Sequence, residues 1–510
     1  MDWTSGYASD IEYTAGFYRE QSPGFLNFAC VLNGYEPIPI DQPFTYLELG
    51  FGRGLTANLL AAANPIGEFY AADFNPAHVA GARQLANAAQ LENLTLLENS
   101  FAELAEGQVN DLPQFDFITL HGIYTWVTAE NRQHIVRFIS RYLKPGGIVY
   151  VSYNAMPGWS AALPLQRLLM EHAELFPNRT DLQMKGAADF VNQVEQVQAG
   201  YFNANIGLKT RLEMLKTGNV NYLVHEYMHK HWQPMYFADV SRDMADAKLD
   251  YVGSAELHRA YPALFLSSEQ INLLNATPDA TFRETLKDYF LNTGFRKDIF
   301  VRGARRITGL RQKECLHQVG LISLLPRSAN QLEMKLGNAN INGRPEIYNL
   351  VFDALSDGPK TLGELAVIPA LQSRNIAEIT AILTSSGQTA FYFPANASMD
   401  IEPARRLNQV ITKQVRYHDE YQALASPLLG NGINANYTER LMYWILSQQS
   451  QTIGVDQLAE QAWKEMKATG RKMNRDGKPL ESDADNLAHL TSTAEHILNH
   501  SVTLWQNLKM

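Results

Sequence analysis

Five residues in one stretch have the types and spacing to hold a charged nucleoside: Glu48, Gly50, Gly52, Gly54 and Asp73. An apolar strand (Tyr46, Leu47, Leu49) feeds the glycine turn, and an alanine-rich helix from Leu55 to Ala63 follows. The unit therefore reads strand, tight loop, helix. Asp73 closes the next apolar strand (Phe69 to Ala72), roughly 20 residues past the glycines, where a carboxylate can accept from both hydroxyls of a ribose. Leu55 follows Gly54, so the spacing is G-x-G-x-G and departs from the G-x-G-x-x-G of dinucleotide folds. A glycine turn alone has a purely conformational explanation. The two acids in register with it are what point to a nucleotide cofactor.

Such a site needs a sheet whose strands end beside it. From Thr45 to Asn154 strand and helix signals alternate as a doubly wound α/β sheet requires, with strands predicted near 45 to 50, 68 to 73, 94 to 98, 115 to 121 and 147 to 153. Ligands in these sheets bind beyond the carboxyl ends of the strands. The residues there are Phe74 and Asn75, then Ser100 and Phe101, then the loop from His121 through Tyr124 to Trp126, and lastly Tyr153 to Trp159. Residues 160–220 carry long helical patterns and read as an inserted helical subdomain. Leu249 to Ser254 is predicted as strand six, and Lys297 to Gly303 as strand seven after a second helical detour.

The glycine turn with Glu48 and Asp73 resembles the first motifs of class I S-adenosylmethionine (SAM) methyltransferases, and the turn Lys144-Pro145-Gly146-Gly147 recurs there too. More specifically, the strings His121 to Trp126, Ser152 to Trp159, Tyr222 to Met228 with Trp232, Pro234, Tyr236 and Phe237, and Arg296 to Gly303 resemble bacterial methyltransferases with a methyltransferase regulatory domain. Among these are the rickettsial-type protein lysine methyltransferases, which act on surface proteins. The resemblance covers residues 1–310 with specific motifs and the rest more loosely, including Ala425 to Ile433.

This resemblance implies a Rossmann-like, seven-stranded core with helical insertions, followed by a C-terminal winged-helix-like and α-helical region. It implies SAM as cofactor, with Glu48 on its ammonium group, the glycines around the methionine end, Asp73 with Phe74 and Asn75 at the ribose, and Phe101 against the adenine. Ser100 stands where the family often has an acid for the adenine amine. His121 borders both cofactor and acceptor.

The expected organisation is an N-terminal cap or lid (1–40), a SAM-binding core (41–159), the helical insertion (160–220), a regulatory region completing the sheet (221–310), a winged-helix-like unit (340–398) and a helical domain (399–510). Residues 1–40 are aromatic and turn-rich (Tyr7, Tyr13, Phe17, Tyr18) and either close over the cleft or cap the sheet edge; Tyr18 is the one put forward for the substrate rim.

The chain of 510 residues has a net charge of -10, which argues against a nucleic-acid partner. The winged-helix outline carries Glu378 and no Lys or Arg on its third helix, so a protein contact is favoured over DNA. Cys30 and Cys315 are too few for a disulfide scaffold and suit a reducing cytoplasm. No leader signal opens the sequence and no apolar run approaches the roughly 20 residues needed to cross a bilayer, so no membrane insertion is expected. The pentapeptide His225 to His229 satisfies H-E-x-x-H, a zinc-peptidase signature. Pro234 ends its helix early and no third ligand follows at a convincing spacing. No metal is expected; His225, Glu226 and Trp232 are assigned instead to the acceptor rim.

Methyl transfer is an in-line displacement, so alignment of nucleophile, methyl and sulfur is worth roughly 7 to 11 kcal/mol. A lysine acceptor must also lose a proton, which at pH 7 costs roughly 5 kcal/mol from its ordinary pKa. An aromatic channel of Tyr124, Trp126, Tyr153 and Trp159 is expected to supply much of that by desolvation, with His121 or Tyr124 as a general base. A small molecule or glycan as acceptor, with the added domains serving a homodimer, and a SAM-binding scaffold without turnover remain alternatives.

Overall fold

The computed structural model describes residues 15–337, 339–475 and 477–510; Tyr7 and Tyr13 of the expected lid lie outside them. Seven strands form the central sheet: β1 (Phe44–Leu49), β2 (Gly67–Asp73), β3 (Leu94–Glu98), β4 (Phe115–Leu120), β5 (Leu143–Asn154), β6 (Leu249–Ser254) and β7 (Phe295–Arg302). Their order is β3-β2-β1-β4-β5-β7-β6. The first five are parallel, and β7 runs antiparallel to both neighbours. This is the Rossmann-like methyltransferase arrangement that the sequence predicts, and every strand falls within a few residues of its expected place. The order reverses between β1 and β4, so the binding crevice opens at their carboxyl ends.

Alternation along each strand assigns side chains to two layers. Tyr46, Phe117, Ile148 and Tyr150 face the helix α1 (Pro23–Leu32). Leu47, Ile118, Val149, Val151 and Tyr153 face the opposite layer, with Phe237 and Val240 of the helix Phe237–Ala245. Helix α2 (Leu55–Ala63) follows the glycine turn, and all nine of its residues are buried. An all-round apolar helix needs cover on every side. The C-terminal helices provide it, because Leu55, Leu59 and Ala62 share a core with Leu407, Ile411, Leu424 and Leu441.

At the end of β5 the chain leaves the sheet. It returns where Met156 donates its N–H to the Met235 carbonyl (3.0 Å) and Met235 donates to Asn154 (3.0 Å). The excursion between holds the helices Leu163–Leu175, Thr180–Gln196, Lys209–Thr217 and Val220–Tyr227 around Leu165, Leu169, Met184, Val191 and Val224. Both ends are tied to the carboxyl end of β5, so this helical body stands beside the crevice.

After β7 come the three-stranded sheet of Gly320–Ser323, Lys360–Thr361 and Thr389–Tyr392 and the helices Pro345–Ser356, Leu362–Ala366 and Ile376–Ser385. Phe391 of this unit packs on Phe28 of α1 at 4.2 Å between ring centroids. Among the described residues no helix is long and apolar enough to cross a membrane.

Candidate active site

Glu48 and His121 sit at the ends of β1 and β4, on the α1 side of the sheet, and residues 18–22 cross above them. This strap is fixed at several points. Ser22 caps α1 by accepting from Phe25 N at 3.3 Å, and Pro23 follows it at the first helical position. Tyr18 N donates to Thr56 Oγ1 (3.2 Å), and Lys297 Nζ donates to Glu20 Oε1 (2.6 Å). Within this frame Gln21 Nε2 donates to Glu48 Oε1 at 3.1 Å. The Tyr18 ring stacks on His121, 3.6 Å between centroids and inclined by 23°. His121 Nδ1 lies 2.8 Å from Tyr150 Oη.

The electrostatics follow from this enclosure. Glu48 is 3% exposed; burial, aided by the Asp73 charge and opposed by Gln21, pushes its carboxyl up to about 8. Its second oxygen, Oε2, is buried and has no hydrogen-bond partner among the described residues. His121 is pushed down to about 3 by burial, with the Lys297 charge adding to the effect and Glu20 opposing it. The ring is therefore neutral at pH 7 and has a lone pair to offer. Burial works against ionisation of Glu20, yet the Lys297 ammonium outweighs it and holds that carboxyl below its usual range.

The turn itself takes a backbone shape that glycine favours and is packed closely by the chain's own side chains. Gly50, Gly52 and Gly54 have φ of 72°, 58° and 73°. A Cβ on Gly50 would stand 2.5 Å from Ile123 Cδ1, and one on Gly54 would stand 2.5 Å from Ala82 Cβ. Asp73 is aimed at the turn, its Oδ2 accepting from Gly52 N and its Oδ1 from Asn75 N, both at 2.9 Å. Asn75 caps the following helix α3 (Pro76–Ala88) by accepting from Ala77 N, and Phe74 beside it is half-buried. A carboxylate has about four lone-pair sites, so Asp73 retains acceptor capacity. An orphaned, buried carboxylate oxygen and a backbone cradle suit a ligand that brings an ammonium group and a ribose, as the SAM expectation requires.

Other expected residues are placed differently. Ser100 caps α4 (Phe101–Glu106) in a reciprocal box: its Oγ accepts from Glu103 N (3.3 Å), while Glu103 Oε2 accepts from Ser100 N (2.7 Å). Its hydroxyl is thus committed to the helix end, and Phe101 beside it is half-buried against the core.

The four-residue aromatic channel does not form. Tyr124 is fully buried and donates to Asp243 Oδ2 (2.8 Å), and Tyr153 is fully buried and donates to Asp298 Oδ2 (2.6 Å). Both belong to the sheet face opposite His121, because strand alternation sends residue 153 away from residues 150 and 152. Burial raises both phenols far above their ordinary value, with Asp243 and Asp298 adding to it, so Tyr124 is no base.

Trp126 and Trp159 instead join Trp232 at the foot of the helical excursion, with centroids 5.9 and 4.7 Å from its ring. Arg211 lies 3.5 Å above the Trp159 ring and 3.7 Å from Glu226 Oε1. Burial pushes the Glu226 carboxyl up to about 7, against the opposing pull of Arg211. His225 is buried on the same helix, Val220–Tyr227. That helix ends before His229, and the two imidazoles stand 5.8 Å apart. Among the described residues no three metal-ligating groups converge.

Sequence reasoning missed Glu20, Gln21, Arg211 and Lys297. Gln21 precedes a legible cap, Ser22-Pro23, that marks a helix entry; nothing local marks Arg211 or Lys297, which act across the fold.

Comparison with known proteins agrees with this architecture. Residues 47–149 match the family model of a methyltransferase domain, and residues 219–302 match that of a predicted methyltransferase regulatory domain. An uncharacterized protein of Synechocystis sp. is 37% identical over 504 residues, 97% of each chain. An uncharacterized protein of Rickettsia prowazekii is 23% identical over 339 residues, 65% of this chain and 59% of the relative. Among solved structures, PKMT2 from Rickettsia typhi in complex with AdoHcy shares the fold with a TM-score of 0.67 at 18% identity, covering 96% of this chain and 99% of that one. The chain belongs to the class I SAM-dependent methyltransferases that carry a methyltransferase regulatory domain.

Proposed function

We propose that the protein transfers a methyl group from SAM to a protein acceptor, and specifically to a lysine side-chain amine. The observation that carries this reading is the helical excursion tied to the end of β5. With Trp126, Trp159 and Trp232 at its foot, it sets an aromatic cluster at the carboxyl end of β5, with Glu226 beside it through Arg211. An aliphatic amine entering beside the half-buried Trp126 is desolvated, which lowers its pKa by up to roughly 3 to 5 units when fully buried. The shared fold with PKMT2 and the motif resemblance to rickettsial-type protein lysine methyltransferases support the same acceptor class.

In this proposal Glu48 Oε2 holds the cofactor's ammonium group, the N–H groups of the glycine turn line its methionine end, and Asp73 accepts from the ribose hydroxyls, with Phe74, Asn75 and Phe101 near the base. When bound, SAM supplies an electrophilic methyl. The chain's own residues do the rest: Tyr18, Glu20 and Gln21 exclude water from above, and the tryptophans orient the amine. The neutral imidazole of His121 accepts a hydrogen bond from the incoming amine; a ring held near 3 is too weak a base to take its proton, which leaves to solvent as the amine is desolvated.

The test is incubation of the purified protein with labelled SAM and fractions of a host lysate. Label in protein bands, traced to lysine by mass spectrometry, is expected. Label confined to the low-mass fraction would replace the acceptor with a small molecule, and SAM binding with no label anywhere would leave a scaffold.

A further inference from the structure

A second cavity, of about 230 Å³, opens beside β6 and β7, between these strands, the helix Ala280–Leu291 and the end of α1. Its lining is polar and its charges do not balance: with Asp288 behind Arg296, five cationic side chains meet four carboxylates, in a chain whose net charge is -10. The excess has an identifiable source. Arg296, at the floor, is neutralised by Asp288 and Asp298, each at 2.7 Å. Lys287 pairs with Glu284, and Arg259 with Glu256.

Arg283 and Arg306 are left. Among the described residues neither has a carboxylate partner. Arg283 Nη1 donates to the Thr277 carbonyl (2.9 Å), and Arg306 Nη1 donates to the Asn33 carbonyl (3.1 Å) while its guanidinium lies 4.1 Å over the Tyr35 ring. Each keeps further N–H donors, since a guanidinium carries five. Both are held by neutral groups that fix the fork and leave its charge uncompensated.

We propose that this cavity binds a compact dianion of the phosphate class, either inorganic phosphate or a small phosphate monoester, between Arg283 and Arg306. Two guanidinium forks match phosphate oxygens in geometry and charge. The volume lies below the range of about 300 to 1,000 Å³ usual for larger ligands, which favours a small anion. The site is separate from the cofactor crevice, because β6 is the sheet edge, four strands from β1, or roughly 19 Å at the usual strand spacing. Most of its lining, Arg283 included, falls within residues 219–302, while Arg306 lies just beyond them.

The experiment is calorimetric titration of sodium phosphate into the full chain at pH 7.5. S-adenosylhomocysteine is present to keep phosphate out of the crevice, and sodium chloride at matched ionic strength is the blank. Saturable binding of one phosphate per chain is expected, weakened at least about tenfold by Arg306→Gln and by Arg283→Gln, as loss of a charge-assisted pair requires. Arg283 also ties down a loop carbonyl, so if its variant does not fold, the exposed Arg306→Gln and Arg306→Glu decide. No saturable heat, unchanged affinity in the folded variants, or binding of malonate without binding of phosphate would overturn the assignment.

Discussion

Gln21 Nε2 donates to Glu48 Oε1 at 3.1 Å, so the strap over the crevice grips the same carboxylate whose other oxygen has no partner among the described residues. Burial holds that carboxyl near 8, whereas in the unfolded chain it ionises near about 4.3. Between those values the unfolded state binds fewer protons than the folded one, so stability falls as pH rises through the window and levels off above about 8. The ligand-free protein is therefore expected to lose melting temperature from pH 5 to pH 8, and Glu48→Gln to lose less. SAM affinity should move the other way, rising with pH to about 8 as the carboxylate forms, with proton release at pH 7 seen as buffer-dependent heat. Equal pH profiles for wild type and Glu48→Gln would remove Glu48 from the site.

Arg53 stands between two glycines of the turn and is ion-paired to Glu420 of the C-terminal region. Beside it Arg406 Nε donates to the Ala89 carbonyl at 3.0 Å, and Asn64 Nδ2 donates to the Gly430 carbonyl at 2.9 Å. The C-terminal region therefore reaches the cofactor turn directly through the loop residue Glu420. Glu420→Gln is expected to weaken SAM binding two- to fivefold, about what a half-exposed pair is worth, while leaving the melting temperature of the ligand-free protein nearly unchanged. An unaltered dissociation constant would make the pair a surface contact only.

Tyr153, Arg296, Asp288 and Asp298 form one buried network across β5 and β7. Removing the shared cation strands two carboxylates in the core, so Arg296→Ala is expected to cost about 3 to 5 kcal/mol. Tyr153→Phe removes one of the hydrogen bonds to Asp298 and should cost about 1 to 2 kcal/mol. Denaturant titration measures both. Turnover per folded molecule of Tyr153→Phe should be retained, and a collapse of turnover without loss of stability would restore Tyr153 to the chemistry.

The glycine turn, its two acids and the positions of the strands were legible because they are local: each reads off an apolar run and the residues at its end. The aromatic channel was misread because Tyr124 and Trp126, or Tyr153 and Trp159, are near in sequence but belong to different layers once strand alternation and the excursion after β5 are drawn. Ser100 illustrates a different competition, in which a residue at a strand end is claimed by the helix that begins there. Gln21 and Glu20 reach the site only because α1 packs beneath the sheet, a tertiary fact that no spacing in residues 15–40 records.

The stack of Tyr18 on His121 makes the last prediction. The ring of Tyr18 covers one face of the imidazole at 3.6 Å and so contributes to the burial that pushes His121 down to about 3. Tyr18→Ala admits water to that face and should raise the imidazole toward its ordinary value of about 6.5. In wild type the His121 resonances should stay flat from pH 5 to 8, while in Tyr18→Ala they should titrate within that range. A histidine that is partly charged at pH 6 cannot accept a hydrogen bond from the amine, so the variant should also acquire an acid-side fall in turnover that wild type lacks. If the wild-type ring already titrates near 6.5, the strap is not closed in solution, and the neutral imidazole must come from the bound cofactor instead of from Tyr18.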